Sequence, residues 1–216
     1  MKRSKLTELH YICHVDNLPS ILADGILSHR RAQRLQPTSI ANEEVQGRRA
    51  EKSVPRGRPL HTYVNLYLNA RNPMMYRITD GARVVADFCV LSVSTSVLDL
   101  DGVVLADGNA ASATTAFRPA LEGLAAIKRK RVFAQYWTHQ GDQVAEAEHK
   151  RVMCAEILVP SAVDAAMIDS VYVANDEVAA SVSAIVANVR AVTNGYLFFR
   201  RREQRTQTGK SRRGAT

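Results

Sequence analysis

Residues 152–160 read Val-Met-Cys-Ala-Glu-Ile-Leu-Val-Pro, an apolar run interrupted only by Glu156. Its aliphatic content predicts a strand. A carboxylate in such a strand costs several kcal/mol to desolvate unless it is paired or put to use. Strict alternation puts Met153, Ala155, Ile157 and Val159 on one face and Val152, Cys154, Glu156 and Leu158 on the other. Glu156 then shares its face with three apolar groups, which is not the composition of a solvated face. Whatever sheet the chain builds must give this acid a partner or a task.

The remaining pattern supplies the sheet. "HYICH" (10–14) predicts a short strand, and Asp16-Asn17 supply helix-cap chemistry for "LPSILADG", with Pro19 in the first turn and Gly25 at the end. Residues 29–61 are polar and rich in Arg, Gln and Glu, a functional loop with a short helix around 40–50. In 63–69, Val64, Leu66 and Leu68 alternate with Asn65, Tyr67 and Asn69 as a strand, and Asn72-Pro73 starts a helix. Residues 83–94 predict a central strand and 106–116 a mobile small-residue loop. Helical spacing marks 117–131, 143–151 and 176–192, with strands at 169–175 and 195–200. The alternation predicts one α+β domain over 1–199, built on a mixed sheet with flanking helices.

Charge is unevenly spread. Of the net +8, the segment Arg200–Thr216 carries +6, from seven Arg or Lys against one Glu. This tail lacks large apolar side chains, which predicts disorder, and it serves either as a polyanion attractor or as a solubilising end. The other 199 residues are nearly neutral, so the total charge alone assigns no partner. Cys13, Cys89 and Cys154 are odd in number and widely spaced, which favours reduced thiols in a cytoplasmic protein over disulfides or a zinc site. No signal peptide or membrane-length apolar run is read. The sequence also lacks G-x-G-x-x-G, G-x-x-x-x-G-K-[ST] and H-E-x-x-H, so dinucleotide-fold dehydrogenases, P-loop enzymes and zincins are excluded. His10 and His14 have no acidic or thiol partner at metal spacing and read as hydrogen-bonding residues, so no metal is expected.

Taken in order, "YICHVDNLPSILADGILSH", "SIANEEVQGRR", "LHTYVNLYLNARNPMMYR" and the isolated glutamate of "CAEILVP" resemble the DarT-type DNA ADP-ribosyltransferase toxins of toxin–antitoxin systems. The resemblance spans roughly residues 9–199. It implies an ADP-ribosyltransferase-like split mixed sheet with NAD⁺ in the cleft. The implied activity is transfer of ADP-ribose from NAD⁺ to a base in single-stranded DNA, typically thymine, which a macrodomain antitoxin reverses. Matched by motif, Glu156 is the catalytic glutamate and Arg49 the catalytic arginine. Tyr11, Ile12, Cys13, Ser20 and Leu27, with Arg49, fall where NAD⁺ is held, and 109–156 becomes the substrate-recognising segment. Tyr11 and Cys13 depart from the family pattern, which often has His and Thr there.

The chemistry of the residues agrees. Cleavage of the nicotinamide–ribose bond passes through an oxocarbenium-like transition state that a nearby carboxylate stabilises. Thymine N3 is a poor nucleophile until its proton leaves, and Arg49 serves either that step or the clamping of pyrophosphate. Arg71, Met74, Lys150 and Arg151 are the candidate DNA contacts, with Arg71 directed to NAD⁺, DNA or a carboxylate. A monomer without membrane association is expected. Two rival functions stand beside thymine modification: modification of guanine, and non-catalytic binding of single strands through Tyr67, Tyr76 and the tail.

Overall fold

An eight-stranded sheet runs through the computed structural model, which describes residues 1–80, 85–186 and 188–200. The strands in chain order are β1 (Leu9–His14), β2 (Ile26–Leu27), β3 (Tyr63–Tyr67), β4 (Phe88–Val93), β5 (Val104–Ala106), β6 (Phe117–Pro119), β7 (Glu156–Pro160), β8 (Ala162–Val163), β9 (Ile168–Val173) and β10 (Arg190–Thr193). The helices are α1 (Leu18–Asp24), α2 (His29–Ala32), α3 (Glu43–Ala50), α4 (Pro73–Thr79), α5 (Ala120–Ala126), α6 (Arg129–Val132), α7 (Gln143–Met153) and α8 (Asp176–Ser183). The sheet order is β10-β9-β4-β1-β3-β7-β5-β6, antiparallel throughout except for the parallel β9–β10 edge, while β2 and β8 form a separate ribbon. The expected mixed-sheet α+β architecture is what the chain adopts.

One junction shapes the molecule. β1 pairs with β4 over all six residues, and β3 with β7 over all five, yet β1 and β3 meet only at His10 opposite Tyr67. Beyond that point the two halves diverge, and this divergence is the split. Alternation sends Leu9, Cys13, Val64, Leu66, Cys89, Leu91, Ile157 and Val159 into one core with α1, α5 and α8. On the opposite face Tyr67, Phe88 and Val90 pack against Met75 and Ile78 of α4.

Local chemistry sets the element ends. The Asn72 side chain accepts a 3.0 Å hydrogen bond from the Met75 amide, with Pro73 behind it, so α4 starts as expected. Asn42 caps α3 in the same way through the Val45 amide. Gly25 adopts φ +80 at the end of α1, and a Cβ there would collide with the Val163 carbonyl. Asn17 precedes α1, but its side chain exchanges hydrogen bonds with the Thr38 backbone at 2.9 and 3.0 Å instead of capping the helix.

Several boundaries differ from expectation. The strand at 152–160 begins only at Glu156, because Val152 and Met153 finish α7. Residues 106–116 form a packed turn with Ala110, Ala111 and Thr115 buried, not a mobile loop. The helix expected over 176–192 stops at Ser183, and Arg190–Thr193 instead add an edge strand by pairing with Ser170–Val173. Pairing satisfies backbone groups that local propensity cannot weigh. Residues 195–199 are turns whose Leu197 and Phe198 are buried. The basic tail beyond Arg200 lies outside the described residues. Among the described residues, no helix is long and apolar enough to cross a membrane.

On the face opposite the main core, Glu8 accepts hydrogen bonds from Ser92 Oγ at 2.5 Å and Tyr172 OH at 2.9 Å and stands 3.4 Å from His10 Nε2. Burial alone would raise the Glu8 carboxyl; the contacts with His10, Ser92 and Tyr172 overcome it and hold it near about 2, below its ordinary 4.5. A depressed folded-state value stabilises the fold above pH 4.5, and that contribution disappears as pH falls toward 2. The Tm gap between wild type and Glu8→Gln should therefore be largest near neutrality and shrink through this acid window. A gap constant with pH would assign the effect to packing instead.

Candidate active site

A cleft of about 1230 Å³ opens where β1 and β3 part. Its walls are β1 residues 11–13, β3 residues 63–65, the 29–49 segment with α2 and α3, and α4. Glu156 lies at the apex, because it is the cross-strand partner of Tyr67, and Tyr67 is the residue at the β1–β3 junction.

The carboxylate is 1% exposed. Arg49, itself 6% exposed, reaches from the last turn of α3 so that Nη1 lies 3.0 Å from Oε2 and 3.3 Å from Oε1. The Ala110 amide donates a third hydrogen bond to Oε1 at 3.0 Å. Two charges removed from water together, with a further backbone donor, satisfy the condition under which a buried ion pair is tolerated. The acid is thus fixed in direction and kept out of bulk water.

The 107–116 turn that delivers the Ala110 amide is itself clamped. Arg151 donates to Asp107 Oδ1 at 2.8 Å, to Thr115 Oγ1 at 3.1 Å and to both oxygens of Glu148 at 2.7 and 2.8 Å. Gly108 lies so close that an added Cβ would meet the Arg151 backbone carbonyl at 2.9 Å. From the other side, Lys52 Nζ donates to the Ser112 carbonyl and stands 5.2 Å over the Phe117 ring. Arg49 lies in the last turn of α3 and Lys52 just follows it, so one helix terminus grips both the acid and the turn beside it.

Of the residues named from sequence, Tyr11, Ile12, Cys13, Leu27, Arg49, Met74, Lys150, Arg151 and Glu156 line this cleft. Ser20 does not; its hydroxyl donates to the Asn17 carbonyl at 3.0 Å within α1. Arg71 does not either, since Nη1 donates to the Tyr196 carbonyl at 2.7 Å. Lys150 lies at the rim, paired with Glu146 at 2.7 Å. Among the described residues, no three His, Cys, Asp or Glu side chains group as a metal site.

Three cleft residues were not picked out as catalytic or NAD⁺ contacts from the sequence. Tyr67 adjoins Glu156, and burial followed by the Glu156 charge pushes its phenol far up, so it stays protonated as a potential donor. His29 and His61 stack with ring centroids 4.2 Å apart, and His61 Nε2 is bonded to Gln46 Oε1 at 3.1 Å. Burial lowers both imidazoles, assisted by the Arg49 charge and, for His61, by His29, which favours neutral rings in the cleft wall. Nothing in the spacing of a polar loop signals that His29 and His61 meet.

The family described as "DarT: ssDNA thymidine ADP-ribosyltransferase, DarT" matches residues 10–198. A DNA ADP-ribosyl transferase of Thermus sp. (strain 2.9) is 32% identical over 197 residues, covering 86% of this chain and 91% of that protein. A DNA ADP-ribosyl transferase–DNA ADP-ribosyl glycohydrolase fusion protein of Thermosipho africanus is 31% identical over 191 residues, 85% of this chain. The chain spans about half of that fusion, 47%. Thermus sp. 2.9 DarT solved with ADP-ribosylated single-stranded DNA superimposes with a TM-score of 0.78 at 28% identity, covering 92% of this chain and all of that one. The same enzyme in complex with carba-NAD⁺ gives 0.72 at 25% identity, covering 90% of this chain and 99% of that one.

Arg151→Gln should lower Tm by several degrees, since it leaves Asp107 and Glu148 without their cation. A role confined to DNA phosphate contact would leave Tm unchanged and reduce only the salt dependence of DNA binding.

Proposed function

The chain belongs to the DarT family of single-stranded-DNA thymidine ADP-ribosyltransferases, and on that footing we propose that it transfers ADP-ribose from NAD⁺ to thymine in single-stranded DNA. The observation that carries this reading is the buried Glu156 carboxylate, held by Arg49 and the Ala110 amide at the apex of a cleft roomy enough for a dinucleotide.

In this reading NAD⁺ occupies the cleft against Tyr11, Ile12, Cys13 and Leu27, with its nicotinamide-bearing ribose at Glu156. The bond from C1″ to the nicotinamide nitrogen breaks, its electron pair stays on nicotinamide, and positive charge develops on the ribose. An ionised acid already oriented and desolvated stabilises that charge without reorganisation. Thymine N3 loses its proton to water and bonds to C1″, giving ADP-ribosyl-thymine, nicotinamide and one proton. The reacting base has to be unstacked, which accounts for a single-stranded acceptor. Arg49 acts by orienting Glu156; its engagement with the carboxylate argues against its serving as the base. Lys150 at the rim is the DNA phosphate contact of this scheme.

The fused glycohydrolase of the Thermosipho relative supports a macrodomain-type antitoxin as partner, making the chain a toxin. NAD⁺ as substrate and three buried free thiols, with Cys13 and Cys89 sharing a thiol–thiol hydrogen bond at 3.4 Å, support a cytoplasmic site of action.

Glu156→Gln should lower transfer to a thymine-containing single strand by about 10²–10³-fold or more, read by oligonucleotide mass. The upward Tm shift on adding NAD⁺ should persist in the variant. A Glu156→Gln protein as active as wild type, or a wild type that leaves the oligonucleotide unmodified, refutes this function.

A further inference from the structure

Outside the cleft, an aromatic cluster lies partly open to solvent. Tyr76 meets Trp137 at 5.5 Å and Phe199 at 5.2 Å between ring centroids, and Trp137 meets Phe199 at 5.9 Å, all edge to face. The Arg71 guanidinium lies 3.8 Å from the Phe199 centroid and 4.4 Å from that of Tyr196. Three separate stretches of sequence contribute to it, so its rings are held firmly. Hydrophobic packing alone would nevertheless bury them. Instead Tyr76 is 42% exposed, Tyr196 55%, and Tyr136 beside Trp137 68%.

Its place relative to the cleft follows from α4. Successive side chains on a helix lie about 100° apart. Pro73, Met74, Arg77 and Ile78 line the cleft, while Met75 is fully buried. Tyr76 therefore emerges on the outer face, one step round the helix from Arg77. A helix is only about 10 Å across, so a nucleic-acid strand leaving the cleft over α4 reaches the cluster within a few nucleotides. The route is cationic. Arg71 and Arg77 flank it, and α6, with sequence Arg-Lys-Arg-Val, is held to the same segment by the Asn69 side chain donating to the Val132 carbonyl at 3.0 Å. Neither α4 nor α6 contains an acid.

Exposed aromatic faces next to guanidinium groups, beside two helices that carry no acid of their own, fit the bases and phosphates of a single strand. We propose that this cluster is a second DNA site, a stacking platform for bases flanking the one being modified. The strand is then held at two points, the reacting base in the cleft and its neighbours on Tyr76 and Tyr196. Arg71 serves the platform by stiffening the Tyr196 and Phe199 rings and adding charge, without entering the cleft. The inference rests on the ADP-ribosyl-transfer reading, because the strand bound is that reaction's acceptor.

Tyr76→Leu and Tyr196→Ser, compared with wild type on two acceptors, test the platform. One acceptor is a trinucleotide centred on thymine; the other is a single strand of about 20 nucleotides, long enough to span both sites. Each variant should raise KM for the long strand about tenfold, the scale of one lost base–aromatic stack. KM for the trinucleotide, kcat on both acceptors and the Tm shift with NAD⁺ should not move. Long-strand KM unchanged in both variants, or raised equally for the trinucleotide, overturns the platform while leaving transfer intact. Wild type that modifies neither acceptor overturns the transfer reading itself. Tyr196 sits at the exposed rim, so its variant keeps the test valid even where Tyr76→Leu perturbs packing.

Discussion

The ion pair between Arg49 and Glu156 joins two parts of the chain 107 residues apart. Each charge alone would be forced toward water or neutrality by burial, and either one left behind would be destabilising by several kcal/mol. Together, and with the Ala110 amide as a third contact, they hold α3 against β7 and bring the 107–116 turn down on both. The Arg151 clamp and the Lys52 bond to Ser112 secure that turn in their turn. The contacts that orient the Glu156 carboxylate are therefore also contacts of local folding, and Glu156 is a structural keystone.

A second constraint gives the pair something to act on. A continuously paired sheet would have filled the space between β1 and β3 with backbone hydrogen bonds. Contact at only His10 and Tyr67 leaves the strands free to separate, and the polar 29–49 segment roofs the gap they leave. The carboxylate sits at the narrow end, where water is most easily excluded and the effective dielectric is lowest. α4 lines one wall of the cleft, and the aromatic cluster lies on the outer face of that helix.

Much of this arrangement could be read from residues alone. Glu156 stood out because desolvating a carboxylate is too costly to be incidental, and Asn72-Pro73 marked a helix start because its capping bond is local. Misread elements share a different cause. Val152 and Met153 looked like the start of a strand because aliphatic runs suit either state, and packing of α7 decided between them. Residues 190–192 continue a helical spacing, yet an open sheet edge at β9 recruited them. The small residues 106–116 looked mobile, but small side chains are also what lets Gly108 and Ala110 approach Arg151 and Glu156 closely.

By itself the sequence determined that a buried acid needed a partner, that an α+β sheet surrounded it, and which short segments resembled an ADP-ribosyl-transferring family. These follow from desolvation cost, side-chain periodicity and capping, all of which act within a few residues. Only the tertiary structure decided which arginine met the acid, that Arg151 clamps a turn, that Arg71 stacks on Phe199, and that His29 and His61 face the cleft together. Those pairings join residues tens to more than a hundred positions apart. Long flexible cations can reach many carboxylates and rings, so spacing along the chain cannot choose among them, whereas the packed fold brings only a few partners within reach of each.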